Sequence, residues 1–156
     1  MGIDEAEFRQ VLGHFASGVT VVTMQAHGQL HGLTVSAFAS LSLDPPLILV
    51  CIDRHYPSHE FLQQAGTFAV NILREDGERL SRHFASRVED KFAGVAYHQG
   101  VTGAPLLDEA LATLECKHTT TLPGGDHSIF IGEVIATATH EGNPLLYYRS
   151  GYGKQF

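Results

Sequence analysis

Residues 32–46 read GLTVSAFASLSLDPP, and an almost purely apolar run, residues 47–52, follows them. The stretch threads small polar residues between bulky apolar ones and stops at two prolines, a pattern that indicates a half-buried strand followed by a buried one. Small residues allow the backbone to approach a bound group closely, and Ser and Thr add hydrogen-bond donors and acceptors. The stretch fits either a cradle for a phosphate or polar heterocycle, or a barrel strand whose polar residues face water.

The patterns on either side extend this fold. A helix is predicted after the capping residue Asp4, and short helices are predicted over 60–65, beginning at Pro57, and over 78–84. Strand-forming runs on either side of turn residues predict hairpin turns at 26–29 and 123–125. Strands are predicted over 19–24, 47–52, 68–73, 114–122, 129–140 and 145–149, besides the opening stretch. Six or seven strands with two or three peripheral helices favour an antiparallel barrel over a doubly wound parallel sheet.

Composition limits the classes of function. The 156 residues predict one domain, 1–156, and the net charge of −7 without a basic cluster argues against nucleic-acid binding. No apolar run approaches the ~20 residues that span a bilayer, and the first ten residues lack a secretory signal, so no membrane association is expected. Cys51 and Cys116 stand 65 positions apart and predict two reduced thiols in a cytoplasmic protein.

Familiar catalytic motifs are absent from the sequence. Ten histidines include no HExxH pair, and Pro57 separates His55 from His59, so we expect no metal site. His27 and His31 flank a turn and are expected to be solvated. No nucleophile elbow, paired carboxylates or dinucleotide fingerprint is present.

Several segments together resemble one family. The stretch 32–42 with Asp44-Pro45-Pro46-Leu47 is similar to the flavin reductases of two-component flavin-dependent monooxygenases. The resemblance continues in order through nearly the whole chain: 68–73, 84–86, 90–92, 125–127, 131–134 and 144–149. It implies an FMN-binding split barrel of the Greek-key type, mainly β, that forms a homodimer with each flavin near the subunit interface.

The resemblance also implies site residues by position. Those expected to border the isoalloxazine ring are Thr34, Val35, Ser36 and Ala37, with Ser40 and Leu41 beside it. The next strand would contribute Cys51, Ile52 and Asp53. Ser58 would contact the ribityl-phosphate side of the flavin. Phe84 and Ala85 would lie on a loop over the flavin, with Lys91 close by. His127 would approach the nicotinamide as the catalytic residue, and Tyr148 and Tyr152 could help to hold it. Many relatives carry Ser-x-Thr where this chain has Ser58-His59-Glu60, which leaves His59 either as a substitute phosphate contact or as an exposed residue.

The implied activity is reduction of FMN or FAD by NADH or NADPH, after which the reduced flavin diffuses to a separate oxygenase. Because the flavin carries the hydride chemistry, the protein needs only to bind and align it, which explains the missing catalytic motifs. Two alternatives stay open: a flavin-binding split-barrel module without catalysis, and an enzyme that resembles pyridoxamine-phosphate oxidase. The sequence does not distinguish FAD from FMN or NADH from NADPH.

Overall fold

A computed structural model describes residues 2–153, so Met1 and residues 154–156 of the predicted domain lie outside the described residues. The described residues form three helices and twelve strands. The helices are α1 (Glu5–Leu12), α2 (Pro57–Ala65) and α3 (Glu78–Ala85). The strands are β1 (Ser17–Gly18), β2 (Thr20–Ala26), β3 (Gln29–Val35), β4 (Phe38–Leu43), β5 (Pro46–Asp53), β6 (Thr67–Leu73), β7 (Tyr97–Gln99), β8 (Pro105–Leu107), β9 (Ala110–Gly124), β10 (His127–Thr139), β11 (Leu146–Tyr148) and β12 (Gly151–Gly153).

Seven strands form the main sheet in the order β3-β2-β6-β9-β10-β5-β4, and every neighbouring pair is antiparallel. The edge strands β3 and β4 follow one another in the chain, separated only by Ser36 and Ala37. The sheet therefore curls into a barrel that stays open along the seam between these edges. The predicted antiparallel split barrel is confirmed, although the predicted strand count missed the short strands β1, β7, β8 and β12 and did not separate β3 from β4.

Alternating side chains fill the barrel. In β5, the residues Ile48, Val50 and Ile52 are buried while their neighbours are half-buried, so the apolar run faces the core with every second residue. Phe68 and Phe130 from β6 and β10 are fully buried in the same cluster. Phenylalanine and branched aliphatic side chains of this kind each contribute about 1.5–3 kcal/mol when fully buried.

A second apolar cluster lies on the other side of β2. Val19 and Val21 pack there with Phe84 from α3 and Phe92 from the loop that follows it. Because Val22 and Met24 point into the barrel core, β2 is buried on both faces. The second cluster holds α3 and its following loop against the barrel, which is what positions the functional site.

The helices begin as the sequence predicts, and α3 extends one residue beyond its predicted end, to Ala85. Asp4 accepts a hydrogen bond from the backbone N–H of Glu7 at the start of α1. Pro57 is the first residue of α2, and Gly66 ends that helix in the left-handed region with φ of 72°. The α1 helix has no buried residue, so its apolar side chains are uncovered in the single chain.

The turn of the long β9–β10 hairpin begins two residues later than predicted. Pro123 and Gly124 belong to β9 and pair with Ser128 and His127, whereas Gly125 and Asp126 form the turn. Gly125 has φ of 68°, a conformation that favours glycine. Pro123 is tolerated in the strand because β6 pairs with β9 only as far as Lys117, so the proline is not in the interior of the sheet.

Candidate functional site

A cavity of about 670 Å³ opens between β3, the beginning of α2 and the loop after α3. This volume lies within the range of small-molecule and cofactor sites. The walls are formed by Leu30, His31, Gly32, Leu33, Thr34, His55, Tyr56, Pro57, Ser58, Phe84, Ala85, Ser86, Arg87, Val88, Glu89 and Lys91. Among the residues predicted for the site, the structure brings Thr34, Ser58, Phe84, Ala85 and Lys91 together in this lining.

Thr34 lines the cavity and also makes a hydrogen bond within the protein. Its Oγ1 donates to the backbone carbonyl of Ser81 over 2.6 Å, which ties β3 to α3. Its single hydroxyl proton is therefore engaged, and towards a ligand the oxygen can act only as an acceptor.

Lys91 provides a cation in the wall. Its Nζ donates to the carbonyl of Phe84 over 2.8 Å and to that of Gly32 over 3.1 Å. Burial lowers the pKa of Lys91 from its usual value of 10.5. Lys91 forms no ion pair with any of residues 2–153. A half-buried ammonium without an anion, with two carbonyls fixing its position and a third proton to donate, is suited to binding an anionic group.

The first turn of α2 forms another part of the cavity wall. Tyr56, Pro57 and Ser58 line the cavity, and no side chain caps the helix. Pro57 has no N–H, and the N–H of His59 donates to the carbonyl of Tyr56 over 3.0 Å, so the donors of this turn are the N–H and the hydroxyl of Ser58. They lie at the positive end of the helix dipole, which favours an anionic group. Together with Lys91, this wall gives the cavity the donors that a phosphate needs.

His31 was predicted to be solvated, and that prediction is wrong. Its ring stacks on Phe61 of α2, with centroids 3.4 Å apart, and its Nε2 is buried without a hydrogen-bond partner among the described residues. Desolvation, followed by the charge of Lys91, lowers the pKa of His31 below 6.5. The cavity wall thus includes a residue whose Nε2 is buried and has no partner among the described residues. The alternation of β3 was the only sequence signal for its inward position.

Thr34 is the only residue predicted to border the ring that lies in the cavity wall, and the other predicted residues belong to the strands at the seam and to β5. Val35 and Ile52 are core side chains, and Cys51 and Asp53 are half-buried on β5. The remaining four predicted residues are exposed: Ser36, Ala37, Ser40 and Leu41. Their role in flavin binding stays a prediction.

His127 lies at the start of β10, directly across the sheet from Asp53 of β5. Its Nδ1 is 2.7 Å from Oδ1 of Asp126. Since a carboxylate only accepts, Nδ1 carries the proton, and in the neutral ring Nε2 is left as an acceptor. This hydrogen bond lowers the pKa of Asp126. The structure places His127 outside the lining of the cavity.

Asp53 links His127 to the cavity. Its Oδ1 accepts from the backbone N–H of His55 over 2.8 Å and lies 2.8 Å from Nδ1 of the same residue, whose side chain lines the cavity. The backbone N–H of His55 is the main cause that lowers the pKa of Asp53, and the charge of His127 contributes. Asp53 therefore contacts His55 in the cavity wall and pairs across the sheet with His127. His127 and the cavity thus lie at the same end of the barrel.

The two C-terminal tyrosines hold neighbouring elements in place. The Tyr152 hydroxyl lies 2.8 Å from Oγ of the buried Ser81, and the Arg82 guanidinium lies 5.0 Å from the centre of the Tyr152 ring. Tyr148 meets His14 edge-on at 6.4 Å. Neither tyrosine belongs to the lining of the cavity, and their contact with nicotinamide stays a prediction.

His59 makes two contacts within the protein. Its Nε2 lies 2.7 Å from Oγ of Ser128, and its ring meets Phe130 edge-on at 5.0 Å. His59 is half-buried and connects α2 to β10, so it is neither an exposed residue nor part of the cavity wall. Burial is the main cause that lowers its pKa below 6.5.

Within residues 2–153, no three potential ligands among His, Cys, Asp and Glu come together as a metal site. Within the same residues, no helix has the length and apolar character needed to cross a membrane.

Residues 12–155 match the model of the flavin reductase like domain. The chain belongs to this family. The reductase component of a 4-nitrophenol 4-monooxygenase/4-nitrocatechol 2-monooxygenase from Rhodococcus opacus is 47% identical over 151 residues, which are 97% of this chain and 81% of that protein. A flavin reductase (NADH) from Kitasatospora aureofaciens is 40% identical over 157 residues, covering 97% of this chain and 82% of the relative.

A solved structure of a family member agrees in fold. The NADH:FAD oxidoreductase SgcE6 from Streptomyces globisporus C-1027, in complex with NAD and FAD fragments, superposes with a TM-score of 0.94 at 37% identity. The match covers 98% of this chain and 93% of SgcE6. The family and fold predicted from the sequence are confirmed.

Proposed function

We propose that this member of the flavin reductase-like family uses NAD(P)H to reduce FAD or FMN and releases the reduced flavin to a separate oxygenase. Family membership over residues 12–155 supports the oxidoreductase activity, and relatives are named as a monooxygenase reductase component and as an NADH flavin reductase. The observation that carries the proposal is the cavity lined by Lys91. The Lys91 ammonium has no ion pair within residues 2–153 and can bind the phosphate of a cofactor.

The residues of the cavity fit a flavin. Lys91 and the first turn of α2, with the Ser58 hydroxyl, would hold the phosphate. A bound flavin supplies the capacity to accept a hydride from a nicotinamide, while the chain supplies binding and orientation. The seam residues 34–41 would then border the ring system, which their small side chains allow.

His127 would orient the nicotinamide. Because Asp126 holds the Nδ1 proton, Nε2 of the neutral ring can accept a hydrogen bond from the carboxamide N–H₂. The ring need not exchange a proton during hydride transfer. It acts by fixing the position of the nicotinamide, so its loss should affect use of the nicotinamide more than binding of the flavin.

A homodimer is the proposed assembly. The α1 helix has only eight residues, too few to be stable alone in water, and its apolar residues Phe8, Val11 and Leu12 are more than half exposed. Phe15, just beyond the helix, is 83% exposed. A second copy that covers this face would stabilise the helix. Light scattering should therefore give a mass of about twice 17.0 kDa, and a fully active monomer would refute the assembly.

The proposed location is the cytoplasm. Cys51 and Cys116 are both free, and burial, the larger cause, raises the pKa of Cys116 to about 12, which keeps it an unreactive thiol. Reduced cysteines are compatible with a cytoplasmic flavin reductase. Fractionation of cells that express the protein would test this location, and recovery outside the cytoplasm would contradict it.

Turnover decides between the candidate functions. The protein is mixed with excess FMN or FAD and with NADH or NADPH, and oxidation of the nicotinamide is followed under anaerobic conditions. A reductase turns over many equivalents of flavin, whereas a flavin-binding module without catalysis gives no turnover. In a separate assay in air without NADH, oxidation of pyridoxamine phosphate to the aldehyde with reduction of O₂ to hydrogen peroxide would instead support the pyridoxamine-phosphate oxidase alternative.

A further inference from the structure

A second hollow of about 510 Å³ adjoins the cavity. The two share Leu30, His31 and Glu89 in their walls, so they form one continuous trough with His31 at the boundary. The second hollow is completed by Gln29, Asp90, Phe92, Ala93 and Tyr97. A ligand that fills the cavity can therefore extend into the hollow without leaving the protein surface.

The charged side chains along this trough change from basic to acidic. Arg87 and Lys91 belong to the first cavity alone, Glu89 lies at the boundary in both walls, and Asp90 belongs to the second hollow alone, whose wall contains no Lys or Arg. Asp90 uses Oδ1 to accept from the backbone N–H groups of Phe92 and Ala93, each over 3.2 Å. Glu89 is exposed and forms no hydrogen bond or ion pair within residues 2–153. Free carboxylate oxygens accept from hydroxyl and amino groups and repel phosphate.

An aromatic ring completes the hollow. Tyr97 meets Phe92 edge-on with centroids 5.3 Å apart, and Phe92 in turn packs edge-on against Phe84 of the first cavity. Tyr97 is nevertheless 38% exposed, so part of its ring is free. A fixed, partly exposed ring is a suitable platform for a planar base.

We propose that the second hollow binds the adenosine half of FAD, and that this subsite makes FAD the preferred flavin. The inference rests on the proposed function of the first cavity. The diphosphate passes Lys91 and Arg87, the adenine stacks on Tyr97, and Glu89 accepts from the ribose hydroxyls or the adenine amino group. The order of cations followed by carboxylates matches the order of diphosphate followed by an unphosphorylated nucleoside.

The test compares the affinities for FAD and FMN by equilibrium titration of the oxidised flavins. Wild type should bind FAD at least about tenfold more tightly than FMN. Tyr97→Ala should weaken FAD binding by about 5- to 150-fold, the range for loss of a base–aromatic stack, and leave FMN binding unchanged. Tyr97→Phe, which keeps the ring, should retain FAD affinity. Glu89→Gln should weaken FAD binding several-fold, whereas Glu109→Gln, at an exposed position away from the trough, should have no effect.

Three results would overturn the proposal: equal affinities of wild type for the two flavins, equal losses of FAD and FMN affinity in Tyr97→Ala, and an unchanged FAD affinity in that variant. If Tyr97→Ala instead raises only the KM for NADH, measured with FMN as acceptor, the hollow holds the adenosine of the nicotinamide cofactor and the FAD assignment is wrong. Selective FAD binding in a protein that never oxidises NADH would refute the reductase function while supporting the adenosine subsite.

Discussion

Gly32→Ala tests whether packing behind the cavity controls flavin binding. A Cβ at position 32 would lie 2.8 Å from Cε1 and 2.9 Å from Cδ1 of the fully buried Phe84, and 3.3 Å from Cζ of Phe92. Phe84 would have to retreat by about 0.6 Å to restore an ordinary contact of 3.4 Å. Because Lys91 is fixed by the carbonyls of both Gly32 and Phe84, this retreat should also displace the ammonium that faces the ligand.

The expected cost follows from two opposing effects. Overpacking a core costs about 1–3 kcal/mol, and replacing glycine by alanine in an extended strand returns about 0.4–1 kcal/mol through the unfolded chain. We expect a net loss of about 1–2 kcal/mol in the free energy of unfolding, or roughly 2–8 °C in Tm for a chain of this size. Flavin binding should weaken in the same variant.

Denaturant unfolding and flavin titration measure both effects. Gly18→Ala is the matched control, because nothing lies within 4 Å of its added Cβ. Phe84→Leu in the Gly32→Ala background should recover part of the stability, with a coupling energy of about 0.5–3 kcal/mol between the two sites. If Gly32→Ala is as stable and binds flavin as tightly as Gly18→Ala, the contact between β3 and Phe84 does not control the cavity.

Three other perturbations test separate parts of the site. His127→Ala should raise the KM for NADH about 2- to 13-fold and leave the flavin Kd unchanged; identical stopped-flow reduction kinetics would remove His127 from the nicotinamide site. Lys91→Met should weaken FMN binding by at least about tenfold while the exposed Lys117→Met does not, and equal affinities would place the phosphate elsewhere. The free energy of unfolding should decrease as the pH falls below about 6.5, because the lowered pKa values of His31 and His59 make the folded state bind fewer protons than the unfolded state. His59→Gln, which can keep a hydrogen bond to Ser128, should make that decrease shallower, and an unchanged slope would show that His59 titrates normally.

Local patterns in the sequence were sufficient for most of the fold. The apolar run 47–52 lies in β5, and Asp4 caps α1 as its spacing to Glu7 predicts. The hairpin turn shifted because Pro123 and Gly124 carry turn propensity but lie where β9 has already passed its pairing with β6. The short strands β1, β7, β8 and β12 have two or three residues each, too few to show a period.

The site was less predictable because it depends on contacts between distant segments. Thr34, Ser58 and Lys91 were assigned through the family resemblance and do share a cavity. His31 was missed because its burial is created by Phe61, which α2 brings from 30 positions along the chain. His59 was ambiguous for the same reason, since its partner Ser128 is 69 positions away.

The open seam of the barrel has a consequence for how its binding surface is studied. The edge strands β3 and β4 each pair with a neighbour on one side only, so each has main-chain amide and carbonyl groups that the sheet does not use. The affinity of a ligand that binds those main-chain groups would not depend on which side chains the edge strands carry. Alanine scanning along the seam would then report little, whereas proline scanning, which deletes single amide donors, would reveal where the backbone itself makes the contact.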